Sequence, residues 1–459
     1  MNKHFYIYIL LVIFSLNACF SEQAETAQQS TSNKSPMTVT KDKTKEAIPQ
    51  APKPSKRILK SFPKTFDNRV KNVPTATQKG IFKEPQKHIN ELVNYLSGQA
   101  DDNLNKVKLF HDWIAQNIAY DTHSYFKNKI PDQSYEAVLK RGNSVCQGNA
   151  NLLKKMCDLA DIDSEIILGY SRGYGHALFE KEKVKESNHA WNAVKDENGE
   201  WHLLDATWDA GYIKDRKFVK EYSTNYLFIP PEQMLYTHFP EDPKWQIIPA
   251  KLDATQISNL PKLNGYFFGF DLKLLSPLQR INEVNQTFTF KVKTPKEVFL
   301  NVQIFEKSGK HAPNATFIQK EDGISTVHMA FPKKGKWFCS IFARRLGDEN
   351  YIESAEIGFI NSTKNTARFP TRFKAFEEFN CILYAPLQTP LSTKKPTLFK
   401  IKAPDVAKLT LVVNEESLEL KKEKNDIFVL ETKLSSTKNI KLYAAEKAGD
   451  DDFVGVLGF

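Results

Sequence analysis

The spacing of apolar residues changes once along this chain, and this change constrains the fold more than any other feature. Between residues 85 and 159, apolar residues recur every three or four positions, which is typical of amphipathic helices. From about residue 165 onward they alternate with polar residues in short runs, which is typical of half-buried strands. Residues 58–250 are therefore predicted to form an α+β domain, with a helical lobe followed by an antiparallel sheet.

The helical lobe carries start and stop signals. Pro85 and Gly98 bracket the first predicted helix, and the second is predicted to run from Asp102 to about Ile118. Ser134 is expected to cap a third helix, and a fourth is predicted to begin near Cys146. These four helices precede the first predicted strand.

Beyond residue 251 the pattern predicts strands alone. Residues 251–362 and 363–459 each contain short alternating runs separated by turn residues, at the spacing of a β-sandwich. We therefore predict two all-β, immunoglobulin-like modules after the α+β domain, without helices. The modules are expected to recognise a cell-surface protein or glycan, or to act as spacers.

The first 57 residues have the features of an export signal and a linker. Residues 1–18 combine a basic start with an apolar run that is too short to cross a hydrocarbon core of about 30 Å. The run ends at Cys19 in a context that resembles a bacterial lipoprotein box, so Cys19 is the predicted lipidation site. Residues 19–57, rich in Ser, Thr, Gln, Lys and Pro, predict a disordered tether. We expect a membrane-anchored, extracytoplasmic lipoprotein, and an ordinary secretory signal is the alternative.

Composition narrows the classes of partner and site. Of the 459 residues, 41% are hydrophobic, which is enough for several packed cores. The formal charge of +10 comes from Lys and Arg interleaved with Glu, without a nucleic-acid motif, so we expect no nucleic-acid partner. The five cysteines form no CxxC pair or zinc-spaced set, so we expect no metal and no cofactor. Cys157 is interpreted as a buried apolar residue, and a disulfide between Cys339 and Cys381 is left open.

Three chemically reactive groups follow one another in the α+β domain. Cys146 lies at the predicted start of a helix, where the helix dipole favours a thiolate. His189 and Asp205 lie downstream on neighbouring predicted strands. A cysteine nucleophile needs a base to remove its proton, and the base needs a third group to orient its ring. We therefore predict Cys146 as nucleophile, His189 as base and Asp205 as the orienting carboxylate.

The turn between these two strands decides whether His189 and Asp205 share a face of the sheet. A three-residue loop that ends at a left-handed Gly199 would place His189 opposite Thr207, with Asp205 at the diagonal position about 7–8 Å away. A two-residue loop would put Asp205 on the other face. The triad hypothesis therefore predicts the three-residue loop, and it places His202 on the face away from the thiol.

Several segments resemble the core motifs of the transglutaminase-like superfamily. They are 113–121 (WIAQNIAYD), 144–148 (SVCQG), 188–192 (NHAWN) and 201–211 (WHLLDATWDAG). Residues 238–246 (HFPEDPKWQ) are similar to the signature of the kyphoscoliosis peptidase branch. The resemblance implies a papain-like core with Cys146, His189 and Asp205 as its triad, followed by β modules. Ser144, where Gly is common, and Asn149, where an aromatic is common, depart from the pattern and are expected to reshape the acyl-binding cleft.

The resemblance also implies acyl transfer through a thioester on the cysteine. We predict a surface-anchored cysteine peptidase or amidase that acts on a protein or peptide substrate. A protein-crosslinking transglutaminase and a non-catalytic scaffold on the same fold are the alternatives. Gln147, Trp191 and Trp208 are candidates for the wall of the substrate cleft, although both tryptophans also suit a core. His176, in a Gly-rich run, is the rival base.

Overall fold

The computed structural model describes residues 65–363, 367–447 and 452–459 of the chain. The predicted signal peptide 1–18, the lipidation site Cys19 and the predicted tether 19–57 therefore lie outside the described residues. Within the three described ranges, every helix is too short or too polar to span a membrane.

The first described part of the chain is the predicted helical lobe. Pro85 occupies the first position of its helix, and the Asp102 side chain caps the next helix by accepting a hydrogen bond from the backbone N–H of Asn105 at 2.8 Å. The four predicted helices are confirmed, and their apolar faces meet in one core. The helices before residue 251 are α1 Pro85–Ser97, α2 Asn103–Asn117, α3 Thr122–Phe126, α4 Tyr135–Arg141, α5 Cys146–Leu159, α6 Ala206–Ala210 and α7 Pro231–Met234.

An antiparallel sheet packs on the last long helix of the lobe. The strands of this part are β1 Ala119–Tyr120, β2 Asn143–Ser144, β3 Ser164–Ser171, β4 His189–Lys195, β5 Trp201–Leu204, β6 Gly211–Lys214, β7 Lys217–Lys220 and β8 His238–Pro240. The sheet has the order β5–β4–β3–β8, and β1–β2 and β6–β7 form two small separate pairs. Strands β3 and β4 pack on α5, which brings the first residues of α5 and β4 together.

The first β module consists of two sheets around one core. Its strands are β9 Lys262–Leu263, β10 Lys273–Leu274, β11 Ile281–Val284, β12 Thr287–Lys293, β13 Val298–Glu306, β14 Thr316–Glu321, β15 Ile324–Ala330, β16 Gly335–Arg345 and β17 Ile352–Asn361. One sheet has the order β10–β12–β15–β14, and the other has the order β11–β17–β16–β13 with β9 paired to β17. Alternate residues of β13, from Val298 to Ile304, point into the core, as its sequence pattern predicts.

The second β module repeats this arrangement around a core that also includes Phe317 and Ala330 of the first module. Its strands are β18 Thr371–Arg372, β19 Ile382–Ala385, β20 Thr397–Lys402, β21 Lys408–Val413, β22 Glu416–Glu419, β23 Lys421–Lys422, β24 Ile427–Thr432, β25 Ile440–Ala445 and β26 Val454–Gly458. The sheets have the orders β18–β26–β25–β21–β22 and β19–β20–β24–β23.

The expectation of no helices beyond residue 251 is wrong. The short helices α8 Ala254–Asn259, α9 Gly265–Gly269 and α10 Lys374–Glu378 occur there. Asp253 and Gln256 form a capping box at α8, and the Asn264 side chain accepts hydrogen bonds at the start of α9. These caps stabilise α8 and α9, and all three helices are too short to show a helical period in the sequence.

Arg172, directly after β3, connects the α+β domain to the first β module. Its buried guanidinium pairs with Glu182 at 2.6 and 2.8 Å and donates to backbone carbonyls within 257–261, the segment that leads into the module. Arg280 of the module donates in turn to two backbone carbonyls of the loop between β3 and β4. That loop leads to His189, so the module contacts the segment that precedes this residue of the candidate active site.

Candidate active site

Cys146 is the first residue of α5, as the sequence predicts. The parallel pair of β1 and β2 ends at Ser144 and leads the chain into this helix. Gly148 lies in the first turn, where a Cβ atom would come within 2.6 Å of the Ser144 Cβ and 2.5 Å of the side-chain oxygen of Gln133. Only glycine fits this position, and the tight entry places the thiol at the positive end of the helix dipole.

The turn between β4 and β5 has the three-residue form that the triad hypothesis predicts. Gly199 is left-handed with φ 79°, and Asn192 lies opposite Leu204 in the ladder. His189 Nε2 lies 2.6 Å from Asp205 Oδ2, the distance of a strong, charge-assisted hydrogen bond in which the imidazole donates. The predicted loop is confirmed, and it brings the imidazole and the carboxylate together.

One detail of the strand prediction is wrong, because Thr207 does not lie opposite His189. The ladder between β4 and β5 ends at Leu204. Asp205 then caps α6, since its Oδ1 accepts from the backbone N–H groups of Thr207 at 2.8 Å and Trp208 at 3.2 Å. The carboxylate is therefore oriented by the helix cap as well as by the imidazole.

At all three groups, the neighbouring charges and hydrogen bonds shift the pKa against the effect of burial and outweigh it. Burial disfavours both ionised forms, but the contact between Asp205 and His189 holds the pKa of Asp205 far below its usual range and raises the pKa of His189 to about 10. Burial also opposes ionisation of Cys146, yet the charge of His189 and a side-chain hydrogen bond with it bring the pKa of the thiol below its ordinary value. The site therefore favours a thiolate–imidazolium pair over a thiol and a neutral imidazole.

The other described cysteines have no comparable partner charge. Burial raises the pKa of the Cys157 thiol to about 12, and it raises the pKa of Cys381 to about 12 as well. All four cysteines in the described ranges are free, and Cys339 and Cys381 lie in the cores of different β modules. The disulfide left open by the sequence is therefore not formed in this structure.

A second histidine, which the sequence analysis did not select, shares the Asp205 carboxylate. His238 opens β8, and its Nε2 lies 3.1 Å from Asp205 Oδ2, the oxygen that also accepts from His189. His238 belongs to the segment similar to the kyphoscoliosis peptidase signature, so a sequence signal existed. Its contact with the triad depends on β8 pairing with β3, which the local sequence pattern does not show.

The two departures from the superfamily pattern contact each other. Ser144 Oγ donates to Asn149 Oδ1 at 2.8 Å, and Asn149 Nδ2 donates to Thr207 Oγ1 at 3.1 Å. Ser144 and Asn149 are buried, so they join the start of α5 to the turn that carries Asp205. Any effect of the two residues on the acyl-binding cleft therefore acts through this buried contact, and the expectation that they reshape the cleft stays a prediction.

The three predicted cleft residues have different surroundings. Gln147 is half-buried and donates to Asn151, one turn further along its own helix, at 2.8 Å. Trp191 is only 2% exposed, belongs to a hydrophobic core cluster and stacks on His189 at a centroid distance of 6.0 Å. Trp208 is half-buried with its ring centroid 5.7 Å from that of His189, so it is the more exposed of the two tryptophans beside the site.

The rival histidines are bound elsewhere. His176 Nε2 lies 2.8 Å from Glu182, and His202 Nε2 lies 3.0 Å from Asp196. His202 is thus engaged at the turn between β4 and β5, on the side that the strand parity predicts.

Two tyrosines beside the nucleophile were also missed. After burial, the charge of Cys146 is the next largest cause that raises the pKa of both Tyr120 and Tyr125. Tyr120 is the last residue of β1, which pairs with the strand that leads to Cys146. Its position in the 113–121 motif was the available signal, and only the parallel pairing shows what it contacts. A protonated phenol therefore lies beside the thiol.

Two groups of side chains in the described residues have three metal-ligand atoms within 4.8 Å of one another. One consists of His189, Asp205 and His238, and the other consists of Asp196, Glu200 and His202 at a turn, with His202 buried and Glu200 exposed. His189 and His238 already hydrogen bond to Asp205, and His202 hydrogen bonds to Asp196, so we assign no metal to either group.

Two segments of the chain match models of known protein families. Residues 90–206 match the transglutaminase-like superfamily, and residues 254–356 match the KY-like, immunoglobulin-like domain. The chain thus has a transglutaminase-like core of helices and sheet, followed by an immunoglobulin-like region. Cores of this superfamily usually belong to cysteine-based acyl-transfer enzymes. The predicted fold class is confirmed.

Individual relatives share only part of their length with this chain. Kyphoscoliosis peptidase of Mus musculus is 31% identical over 173 residues, which cover 37% of this chain and 26% of the relative. Hillarin of Drosophila melanogaster is 23% identical over 237 residues, or 49% of this chain and 28% of the relative. A solved TGase structure aligns at 19% identity over 31% of this chain and 36% of its own. The TM-score of 0.22 is too low to support a fold assignment. The lipoprotein prediction is not tested by these comparisons and stays a prediction.

Proposed function

We propose that this chain is a Cys–His–Asp acyl-transfer enzyme that hydrolyses peptide or glutamine amide bonds through a thioester on Cys146. The observation that supports the proposal is that one imidazole interacts with both other groups. The charge of His189 lowers the pKa of the Cys146 thiol, and its Nε2 lies 2.6 Å from Asp205 Oδ2. An ionised sulfur, a protonated imidazole and a fixed carboxylate are the groups that such a reaction needs.

The first half of the reaction forms the thioester. The Cys146 thiolate attacks the carbonyl carbon of the amide, and the carbonyl π electrons move to the oxygen. His189, whose Nε2 is bound to Asp205, donates the proton of its other ring nitrogen to the departing amine as the C–N bond breaks. In the second half, neutral His189 takes a proton from water, the water oxygen attacks the thioester, and the thiolate leaves.

Two donors are available for the negative oxygen of the tetrahedral intermediate. The backbone N–H of Cys146 belongs to the first turn of α5, where amides lack helical partners. The Tyr120 hydroxyl stays protonated because burial and the neighbouring Cys146 raise its pKa. We include Tyr120 in the proposal as the second oxyanion donor.

The relatives guide the choice of reaction and the N-terminal sequence guides the choice of location. One relative is named a peptidase, and this name motivates hydrolysis as the proposed outcome. The sequence around Cys19 supports our proposal that a lipid on that residue anchors the enzyme at an extracytoplasmic membrane surface. The β modules would then present the core to a cell-surface protein or glycan.

The deciding experiment incubates the purified chain with a peptide library, with and without a primary amine, and identifies the products by mass. Hydrolysis predicts either cleaved peptides whose fragments together gain one water, or deamidated peptides in which a side-chain amide has lost ammonia and gained water. A crosslinking transglutaminase instead predicts adducts that appear only with the amine. The Cys146→Ala variant should remove either product, and Cys157→Ala is the matched control that should keep it. If the wild-type chain yields no product and its Cys146 reacts with iodoacetamide as slowly as Cys157, the scaffold alternative replaces the enzyme.

A further inference from the structure

His238 is a buried histidine that hydrogen bonds to the carboxylate of the triad. Its Nε2 and the Nε2 of His189 converge on the same oxygen of Asp205, at 3.1 and 2.6 Å. We propose that His238 is a positioning residue of the active site. It holds the Asp205 carboxylate in place and weakens the attraction of this carboxylate for the proton of His189. The inference rests on the proposed function, since it concerns the same triad.

The hydrogen bonds behind His238 determine which of its nitrogens carries the proton. Thr237 Oγ1 lies 2.9 Å from His238 Nδ1, while its contact with a backbone carbonyl is longer, at 3.4 Å. The Tyr226 hydroxyl hydrogen bonds to Thr237 and accepts from the backbone N–H of Gly265 at 2.9 Å. If the Thr237 hydroxyl donates to His238, Nδ1 is an acceptor and Nε2 carries the hydrogen that is donated to Asp205.

This series of hydrogen bonds begins in the immunoglobulin-like region. Gly265 opens α9, within the residues 254–356 that match the KY-like domain. The series then runs through Tyr226 and Thr237 of the transglutaminase-like core to His238 and Asp205. Hydrogen bonds therefore connect the contact between the two domains at Gly265 to the carboxylate of the triad.

The surroundings keep His238 neutral while it donates. Its ring is fully buried, with centroids 4.4 Å from Trp208, 5.1 Å from Trp191 and 5.3 Å from Tyr226. This burial, together with the neighbouring charge of His189, lowers the pKa of His238 to about 4 although Asp205 opposes the shift. At neutral pH the carboxylate therefore meets one imidazolium and one neutral donor.

The second donor has a consequence for His189. A carboxylate oxygen that already accepts one hydrogen bond attracts a second proton less strongly, and the positive end of the His238 N–H dipole also disfavours a nearby imidazolium. A general acid works best when its pKa lies near the operating pH, so a weaker hold on the His189 proton assists its transfer to the leaving amine. The charged or titratable groups that face the two histidines are Cys146, Asp205 and Tyr226, and Tyr120 and Tyr125 face the thiol.

The test needs no substrate. The rate of alkylation of Cys146 by iodoacetamide is measured from pH 4 to 11 on the full chain, and the labelled peptide is quantified by mass. The lower inflexion of this profile reports formation of the thiolate, and the upper inflexion reports loss of the proton from His189. His238→Phe fills the aromatic cage without a donor, whereas His238→Gln places an amide N–H near the position of Nε2.

We expect His238→Phe to move the upper inflexion to higher pH by about half a unit or more, and His238→Gln to restore it to within about 0.2 unit of wild type. Thr237→Val, which removes the hydroxyl that fixes the tautomer, should shift it in the same direction by a smaller amount. Thr237→Val also decides the matter if His238→Phe does not fold, as judged by circular dichroism. A folded His238→Phe or Thr237→Val chain with an unchanged or lowered upper inflexion overturns the inference.

A fourth variant separates this inference from the proposed function. If His189→Ala leaves the profile of Cys146 unchanged, the thiol is not activated and the proposed function fails. If His189→Ala slows alkylation at neutral pH but the His238 variants match wild type, only the role of His238 fails.

Discussion

Two buried clusters of histidine and carboxylate in the transglutaminase-like core involve the same short helix, and they differ in which group is shared. In the active site, the Asp205 carboxylate serves two histidines, one of which is His189. In the other cluster a single histidine, His111, lies between two carboxylates, with Nδ1 2.9 Å from Asp112 and Nε2 3.1 Å from Asp209. Asp205 caps α6 and Asp209 lies within α6, so one short helix supplies both clusters.

In the second cluster, both ring nitrogens of His111 already have carboxylate partners. Asp112 also accepts from Lys108 at 2.5 Å and from the Tyr222 hydroxyl at 2.6 Å. Although burial opposes it, the two carboxylates raise the pKa of His111 to about 9, so the ring is an imidazolium at neutral pH. Both of its nitrogens are used within the cluster. His189, in contrast, uses one nitrogen on its carboxylate and keeps the other for the thiol.

The two clusters use the same types of residue. The contrast therefore indicates that reactivity depends on a ring nitrogen that is not bound to a carboxylate. A buried imidazolium whose two donors are both bound to carboxylates holds elements together. One that keeps a donor for a thiol can exchange protons with it. The variants below separate these two roles, beginning with the largest expected effect.

Replacing each of the two aspartates associated with α6 should affect reactivity very differently. Asp205→Asn keeps a good helix cap but removes the charge that stabilises the His189 imidazolium. We expect iodoacetamide to alkylate Cys146 more slowly at pH 6, by on the order of 100-fold, as its pKa returns toward about 8.5. The measurement is the second-order rate constant, determined by mass spectrometry of the labelled peptide.

Asp209→Asn is the matched control on the same helix. Its carboxylate contacts His111 and has no contact with the thiol, so the alkylation rate should stay within about threefold of wild type. Equal losses of rate in both variants would show that the second cluster also takes part in activation, and the distinction between the clusters would fail.

Stability should show the reverse order. Asp209→Asn leaves the buried His111 imidazolium with one carboxylate, and breaking such a pair typically costs about 3–5 kcal/mol of unfolding free energy. Urea unfolding can be followed by tryptophan fluorescence, because five of the six tryptophans lie before residue 251.

The pH dependence of this loss follows from the raised pKa of His111. The imidazolium stabilises the fold fully below its ordinary pKa of 6.5, and this contribution disappears as the pH rises through about 9. The difference between wild type and Asp209→Asn should therefore be largest near pH 6 and shrink toward pH 9. A difference that grows with pH would contradict a charged His111.

The smallest effect is expected for the neutral link between the nucleophile and the Asp205 turn. Ser144→Ala removes the hydroxyl that donates to Asn149 and should lower the unfolding free energy by about 1 kcal/mol. The alkylation rate of Cys146 should stay within about twofold of wild type, because a neutral hydrogen bond changes the charge near the thiol very little. A loss of rate as large as that of Asp205→Asn would mean that this link, rather than charge, controls the thiol.

Much of the active site could be predicted from local sequence. The start of α5 at Cys146 follows from the helix signals around it, and the loop ending at Gly199 predicts that His189 and Asp205 lie on the same face. The helices α8, α9 and α10 could not be predicted in this way, because helices of one or two turns leave no periodic pattern.

The sequence by itself determined which groups could react, in what order they occur, and the strand register that brings His189 to Asp205. All of these depend on residues that are near one another in the chain. Only the tertiary structure decided that His238 hydrogen bonds to Asp205 and that Asp112 and Asp209 bind the two ring nitrogens of His111. The reason is that the sheet order β5–β4–β3–β8 and the packing of α2 on α6 bring together residues 33 and 98 positions apart. Contacts over such separations arise from the packing of whole elements and leave no periodic signal in the local sequence.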